Sequence, residues 1–183
     1  MISFMRNIIA SVRQKKIDNY LENLKNKGLK IGEGTDILQP FFLDPDHCYL
    51  ISIGRDCTFA PNVRLIAHDA STKTYLDFTR IGKITIGDRC FIGDSTIILP
   101  NVSIGSNTVI GSASLVNKDI PENSVAAGNP AKIICSLDEY IKRTEINAEE
   151  KGVFGEDYLI ENITSQKKDE VLRSLDAGEG YIV

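Results

Sequence analysis

Two histidines, His47 in LDPDHCY and His68 in LIAHDAS, are the only imidazoles in the chain. A neutral imidazole can accept a proton from a reacting group at neutral pH, because its ordinary titration lies near ~6.5. Asp69 follows His68 directly and either supports that ring or closes a turn. Just beyond, Lys73, Tyr75, Asp77 and Arg80 crowd into STKTYLDFTRIGKIT. Charged and aromatic groups of this kind suit a hydroxyl-rich ligand, and equally suit a plain surface loop. The cysteines Cys48, Cys57, Cys90 and Cys135 show no C-x-x-C spacing and no nearby histidine pair. They read as reduced, buried thiols, and no metal ligand set is expected.

These groups need a scaffold, and bulk properties bound it. The 183 residues suffice for one well-buried domain. A formal net charge of −4 and a pI near 5.3 give no basic footprint for nucleic acid. The N-terminal MISFMRNIIASVRQKK has too short an apolar stretch for a membrane span and no convincing cleavage site, so a cytoplasmic location is expected.

A strict period of six sets the architecture. From Ile86 the chain reads IGDRCF, IGDSTI, ILPNVS, IGSNTV, IGSASL and VNKDIP without interruption. The leading position is aliphatic throughout, glycine follows it in four of these hexads, and the fifth position is mostly small or β-branched. Neither a helix nor an alternating strand restarts with a glycine every sixth residue. A solenoid does, with the leading side chain pointing inward and glycine allowing backbone conformations that a Cβ penalises.

Earlier copies stand at IGRDCT (53–58), FAPNVR (59–64) and LIAHDA (65–70), with an outlying IGEGTD at 31–36. The expected organisation is an N-terminal helical segment over 1–30, a repeat domain over 31–134 with a loop insertion at about 71–85, and a C-terminal helical extension and tail over 135–183. Within the ends, residues 2–27 read as an amphipathic helix ending at Gly28. Ser136 and Glu139 suggest a capped helix start, SQKKDEVLRSL (165–175) a second helix, and the Gly-rich end partial disorder.

The hexads, together with a histidine before an insertion, the K-D-I-P step and the closing A-G-N-P-A-K, resemble the hexapeptide-repeat acetyltransferases, including maltose, galactoside and xenobiotic acetyltransferases. The resemblance implies an all-β solenoid, a left-handed parallel β-helix assembled as a homotrimer with its active sites between subunits. It also implies acetyl-CoA as co-substrate, no metal, and acetylation of a hydroxyl on a sugar or polysaccharide precursor.

His68 matches the family's catalytic base, with Asp69 as its candidate support, whereas His47 lacks that context and reads as structural or peripheral. Asp94 matches a position near the pantetheine arm where relatives often carry a small residue, and it reads alternatively as a coil-corner turn. Ser112, Ala113, Asn117 and Lys118 match the segment along the arm and phosphates of CoA, and Pro130, Ala131 and Lys132 the region near the adenine. Many relatives carry T-K where this chain has Asn117-Lys118, which removes a side-chain hydroxyl and keeps the cation. Lys73, Tyr75, Asp77 and Arg80 are the candidate acceptor contacts.

Three rivals frame this reading. A γ-type carbonic anhydrase on a similar coil needs three histidines, and this chain has two. A non-enzymatic solenoid scaffold would not require the His68 context with the A-G-N-P-A-K ending. An amino-sugar N-acetyltransferase uses the same thioester and base logic, with nitrogen as the attacking atom.

Overall fold

The structure, a computed structural model, describes residues 15–176 and 178–183. The apolar positions Phe4, Ile8, Ile9 and Val12 of the expected first helix lie outside the described residues. A helix α1 covers 15–26. Two compact units follow from the contacts within the chain, Met1–Leu137 and Asp138–Val183.

The first unit winds through three parallel sheets in rotation. Sheet A holds β1 (Lys30–Ile31), β4 (Ile51–Ile53), β9 (Ile84–Ile86) and β12 (Val102–Ile104). Sheet B holds β2 (Asp36–Ile37), β5 (Thr58–Phe59), β10 (Phe91–Ile92) and β13 (Val109–Ile110), and ends on β15 (Ser124–Ala127) and β16 (Lys132–Ser136). Sheet C holds β3 (Phe42–Leu43), β6 (Arg64–Leu65), β11 (Ile97–Ile98) and β14 (Leu115–Val116). Only β15 and β16 pair antiparallel among these strands.

Register follows the hexads. Ile86 pairs with Ile104, Ile92 with Ile110 and Ile98 with Val116, each 18 positions on. Their leading side chains are all buried, as are the fifth-position Cys90, Thr96, Val102, Thr108, Ser114 and Ile120. Two of the fifth-position polar groups find partners one coil on, at the carbonyl following the leading residue, whereas Ser114 Oγ donates within its own coil to Gly111 O. Thr96 Oγ1 donates to Gly111 O at 3.2 Å, and Cys90 Sγ to Gly105 O at 3.2 Å. A small donor is therefore satisfied inside the coil.

The glycines have a reason different from the expected one. Those after the leading residue do not occupy the left-handed region. Instead, a Cβ at Gly93 would stand 2.5 Å from Ser112 N, and one at Gly105 2.3 Å from Glu122 N. Close approach of the next coil excludes the side chain. Left-handed backbone falls at the fourth position, on Asp56, Asn62, Arg89, Ser95, Asn101, Asn107 and Ala113. Asn and Asp, frequent there, tolerate this conformation best among non-glycine residues.

Cys48, Cys57 and Cys90 are buried free thiols, while Cys135 on β16 is only half-buried. In the second unit, α3 (Leu137–Lys151) begins directly after Ser136. Helix α4 (Ser165–Leu175) is capped by Thr164, whose side chain accepts the Lys167 N–H. The expected partial disorder of the Gly-rich end falls in part on residue 177, which lies outside the described residues. Strand β18 (Tyr181–Ile182) pairs with β17 (Val153–Phe154), and Tyr181 and Ile182 line an apolar pocket with Phe154, Tyr158 and Leu175. Phe154, Tyr158 and Tyr181 are half-buried there, while Leu175 and Ile182 stay exposed.

Candidate active site

Two breaks in the 18-residue coil build the site. Leu43 pairs with Leu65, 22 positions on, and Leu65 with Ile98, 33 positions on. Four surplus residues thus fall between β3 and β4, and fifteen between β6 and β9. Both surpluses leave the coil at the same corner, where sheet C passes to sheet A. The first carries Asp44 and His47 and ends in a 3-10 turn, Cys48–Leu50. The second is a hairpin whose stem pairs β7 (His68–Asp69) antiparallel with β8 (Arg80–Ile81), closed by Gly82 N–H donating to Ala67 O at 2.9 Å. The expected insertion at about 71–85 is shifted, because Ile84 and Ile86 already belong to sheet A and His68 itself opens the stem.

Pairing of Leu43 with Leu65 sets Asp44 beside the chain entering that stem. Asp44 is fully buried, with a left-handed φ of 34°. Its Oδ2 accepts the Ala67 N–H at 2.8 Å and lies 2.6 Å from His68 Nδ1. Burial pushes the Asp44 carboxyl upward, but the hydrogen bonds from His68 and Ala67 outweigh it and hold the group below the usual carboxylate range. An ionised Asp44 only accepts, so it selects the His68 tautomer protonated at Nδ1. Nε2 of the half-buried His68 is then left with a lone pair.

Asp69, the expected support for His68, does not serve that ring. Its Oδ1 accepts the Ser71 N–H at 2.9 Å and its Oδ2 a guanidinium N–H of Arg80 at 2.9 Å. Side chains of adjacent strand residues point to opposite faces, which turns Asp69 away from the Asp44 side of His68. The Ser71 hydrogen bonds and Arg80 hold the Asp69 carboxyl below its ordinary range. Asp69 and Arg80 therefore brace the hairpin stem. His47 lies closer to His68 than expected, its ring centroid 4.9 Å from that of His68.

The hairpin tip is short and open. Lys73 and Tyr75 sit on α2 (Lys73–Leu76), which Asp77 closes with a left-handed φ of 57°. Tyr75 is 83% exposed, and Leu76, Phe78 and Ile81 are exposed with it.

The other candidate residues border sheet C. Asn117 and Lys118 are exposed at the corner that carries Asp44 and His68, two coils beyond β6. Asp94, Ser112 and Ala113 occupy the opposite corner, between sheets B and C, where Ala113 N–H donates to Asp94 O at 2.7 Å. Asp94 Oδ1 also accepts from Asn62 Nδ2 at 3.1 Å. Pro130 follows a cis peptide bond, Ala131 N–H donates to Leu115 O at 2.8 Å beyond the last sheet C strand, and exposed Lys132 opens β16. One face and its two flanking corners thus hold His68 and every candidate contact outside the hairpin.

Residues 83–118 match the bacterial transferase hexapeptide model of six repeats. The chain is 35% identical to the YvoF protein of Bacillus subtilis (strain 168) over 124 residues, 66% of this chain and 68% of that protein. It is 35% identical to the galactoside O-acetyltransferase of Escherichia coli (strain K12) over 140 residues, 74% of this chain and 64% of that enzyme. A solved galactoside acetyltransferase in complex with coenzyme A aligns with a TM-score of 0.50 and 31% identity, over 65% of this chain and 70% of that one. The chain belongs to the hexapeptide-repeat acetyltransferases. It spans just under two thirds of the Escherichia coli enzyme, and acetyl transfer is the chemistry its family supplies.

Sequence reasoning missed Asp44. The available signal was the phase of the repeat, since Ile31, Ile37 and Leu43 keep the period and Ile53 arrives four residues late. Such a surplus marks a corner insert just as the longer break after Leu65 does.

Proposed function

We propose that this protein is an acetyl-CoA-dependent O-acetyltransferase that acetylates a hydroxyl of a sugar or polysaccharide precursor, with His68 as the general base. The observation that carries this reading is the 2.6 Å contact from His68 Nδ1 to the buried Asp44 carboxylate. It leaves Nε2 as the proton acceptor. The acceptor hydroxyl loses its proton to Nε2 as its oxygen attacks the thioester carbonyl, and Asp44 stabilises the imidazolium formed. Collapse of the tetrahedral intermediate expels CoA as thiolate, which His68 can reprotonate.

Acetyl-CoA, in this reading, lies along sheet C, with Asp94, Ser112 and Ala113 beside its arm, Asn117 and Lys118 near its phosphates, and Pro130, Ala131 and Lys132 near its adenine. The hairpin residues Lys73, Tyr75, Asp77 and Arg80 face the acceptor. Asp69 braces that hairpin rather than the base.

The coil is read as a left-handed β-helix and the assembly as a homotrimer in the cytoplasm. Among the described residues no helix is long and apolar enough to cross a membrane. The exposed Tyr75, Leu76, Phe78 and Ile81 offer apolar surface for a neighbouring subunit to cover. The repeat domain over 31–134 carries the chemistry, with the flanking segments as extensions.

The test is acetyl-CoA consumption across hydroxyl-only and amine-bearing sugars, with light scattering on the same sample. Turnover with hydroxyl-only sugars by a trimer is expected. Turnover confined to amines would replace oxygen by nitrogen as the attacking atom, and a CoA-binding monomer would remove the trimer.

A further inference from the structure

We propose that Asp44, His47 and His68 also form a binding site for a divalent transition-metal ion of the Zn²⁺ type, whose occupancy switches the base off. One ligand atom from each residue lies within 4.8 Å of the other two, the only such group found among the described residues.

The geometry leaves a place for an ion. While Asp44 Oδ2 is engaged by Ala67 and His68, Asp44 Oδ1 faces His47 Nδ1 across 3.4 Å. Both atoms are buried, and beyond this long contact between them neither has a hydrogen-bond partner. A buried carboxylate oxygen held only by so long a contact is costly and leaves room for a cation. Bonds of about 2.0–2.1 Å at tetrahedral angles separate two ligand atoms by roughly 3.3 Å. Asp44 Oδ1 and His47 Nδ1 already stand that far apart. Two imidazoles and one carboxylate form a ligand set that Zn²⁺ accepts while keeping an open fourth position.

The consequence rests on the reading of His68 as base. Coordination by His68 Nδ1 uses the lone pair that its proton now occupies, so that proton leaves through solvent and the neutral ring carries its single proton at Nε2 instead. Nε2 becomes a donor and cannot take the proton of an acceptor hydroxyl. The ion acts as a reversible inhibitor and supplies no step of acetyl transfer.

The decisive measurement is titration of Zn²⁺ into the metal-free, full-length protein against a chromophoric chelator, without acetyl-CoA or acceptor. One ion per chain is expected. His47→Ala and His47→Gln should each weaken it by more than the roughly 10–100-fold typical of losing an outer-shell partner. Both variants should keep the far-ultraviolet circular dichroism of the parent, and glutamine preserves much of the histidine's bulk. Co²⁺ in place of Zn²⁺ should absorb without thiolate charge-transfer bands, which separates this site from the cysteines.

No binding by the parent, unchanged affinity in both variants, or thiolate bands would overturn the site. Zn²⁺ bound without slowing an active enzyme would overturn the switch. A metal-free enzyme inactive on every acceptor would count against acetyl transfer while leaving the binding result standing.

Discussion

His68 Nδ1 lies 2.6 Å from Oδ2 of Asp44, a residue 24 positions earlier that reaches the ring from a separate corner insert. That oxygen also accepts the Ala67 N–H, so the carboxylate fixes both the backbone entering the hairpin and the ring that follows it. Position and tautomer of the imidazole are thereby set by one buried group.

Replacement of His68 by alanine should lower turnover by roughly 10²–10⁴-fold, the range typical of losing general-base catalysis. Affinity for acetyl-CoA, measured by calorimetry, should change little. A folded His68→Ala protein with near-parental turnover on its true acceptor would eliminate the base assignment.

Asp44→Asn tests the orienting carboxylate. The amide can present N–H to Nδ1 and favour the opposite tautomer, so kcat should fall by about 10²–10⁴-fold with a smaller change in KM. A stability signature accompanies it. The folded-state pKa of Asp44 is depressed, so its ionised form stabilises the fold above the unfolded carboxylate value of about 3.9. That contribution is lost as pH falls through the folded pKa. The melting temperatures of parent and Asp44→Asn should therefore differ most near neutrality and converge below about pH 4. A constant difference across that range would contradict the assignment.

The inward positions were legible in the sequence because each hexad returns a side chain to the same face, and Ile86 through Val116 are buried as that period requires. His68 stood out because a long break in the period follows it. Asp44 did not, since its four-residue insert is short and its role depends on a contact between coils that periodicity does not encode. For the same reason Asp69, next to His68 in the chain, attracted a role that strand alternation denies it. The hairpin tip stayed unreadable because α2 has no buried residue and hence no pattern to betray it.

Lys118 is exposed at the corner that carries His68, and its proposed partner is a phosphate of CoA. Lys118→Ala should weaken CoA binding by about tenfold, the loss expected for one charge-assisted hydrogen bond in a solvated setting. The dissociation constant should become less salt-dependent, while the rate of acetyl transfer from saturated enzyme stays near that of the parent. An unchanged dissociation constant at low salt would remove Lys118 from the CoA site.

Gly93 and Ala113 provide a paired test of why the coil places glycine where it does. A Cβ at Gly93 would stand 2.5 Å from the backbone nitrogen of Ser112, which cannot move aside as a flexible side chain would. Gly93→Ala should therefore destabilise the protein by about 1–3 kcal/mol, the usual cost of overpacking, although Gly93 has no left-handed φ. Ala113 is the converse, with a φ of 57° that penalises its Cβ by roughly 1–2 kcal/mol. Ala113→Gly relieves that strain but frees the unfolded chain, an opposing effect of about 0.4–1 kcal/mol, so a small net gain is expected. Thermal melts of the two variants under one condition should show a clear loss for Gly93→Ala and none for Ala113→Gly. Equal losses would mean that backbone entropy, and not the close approach of successive coils, places glycine after the leading residue.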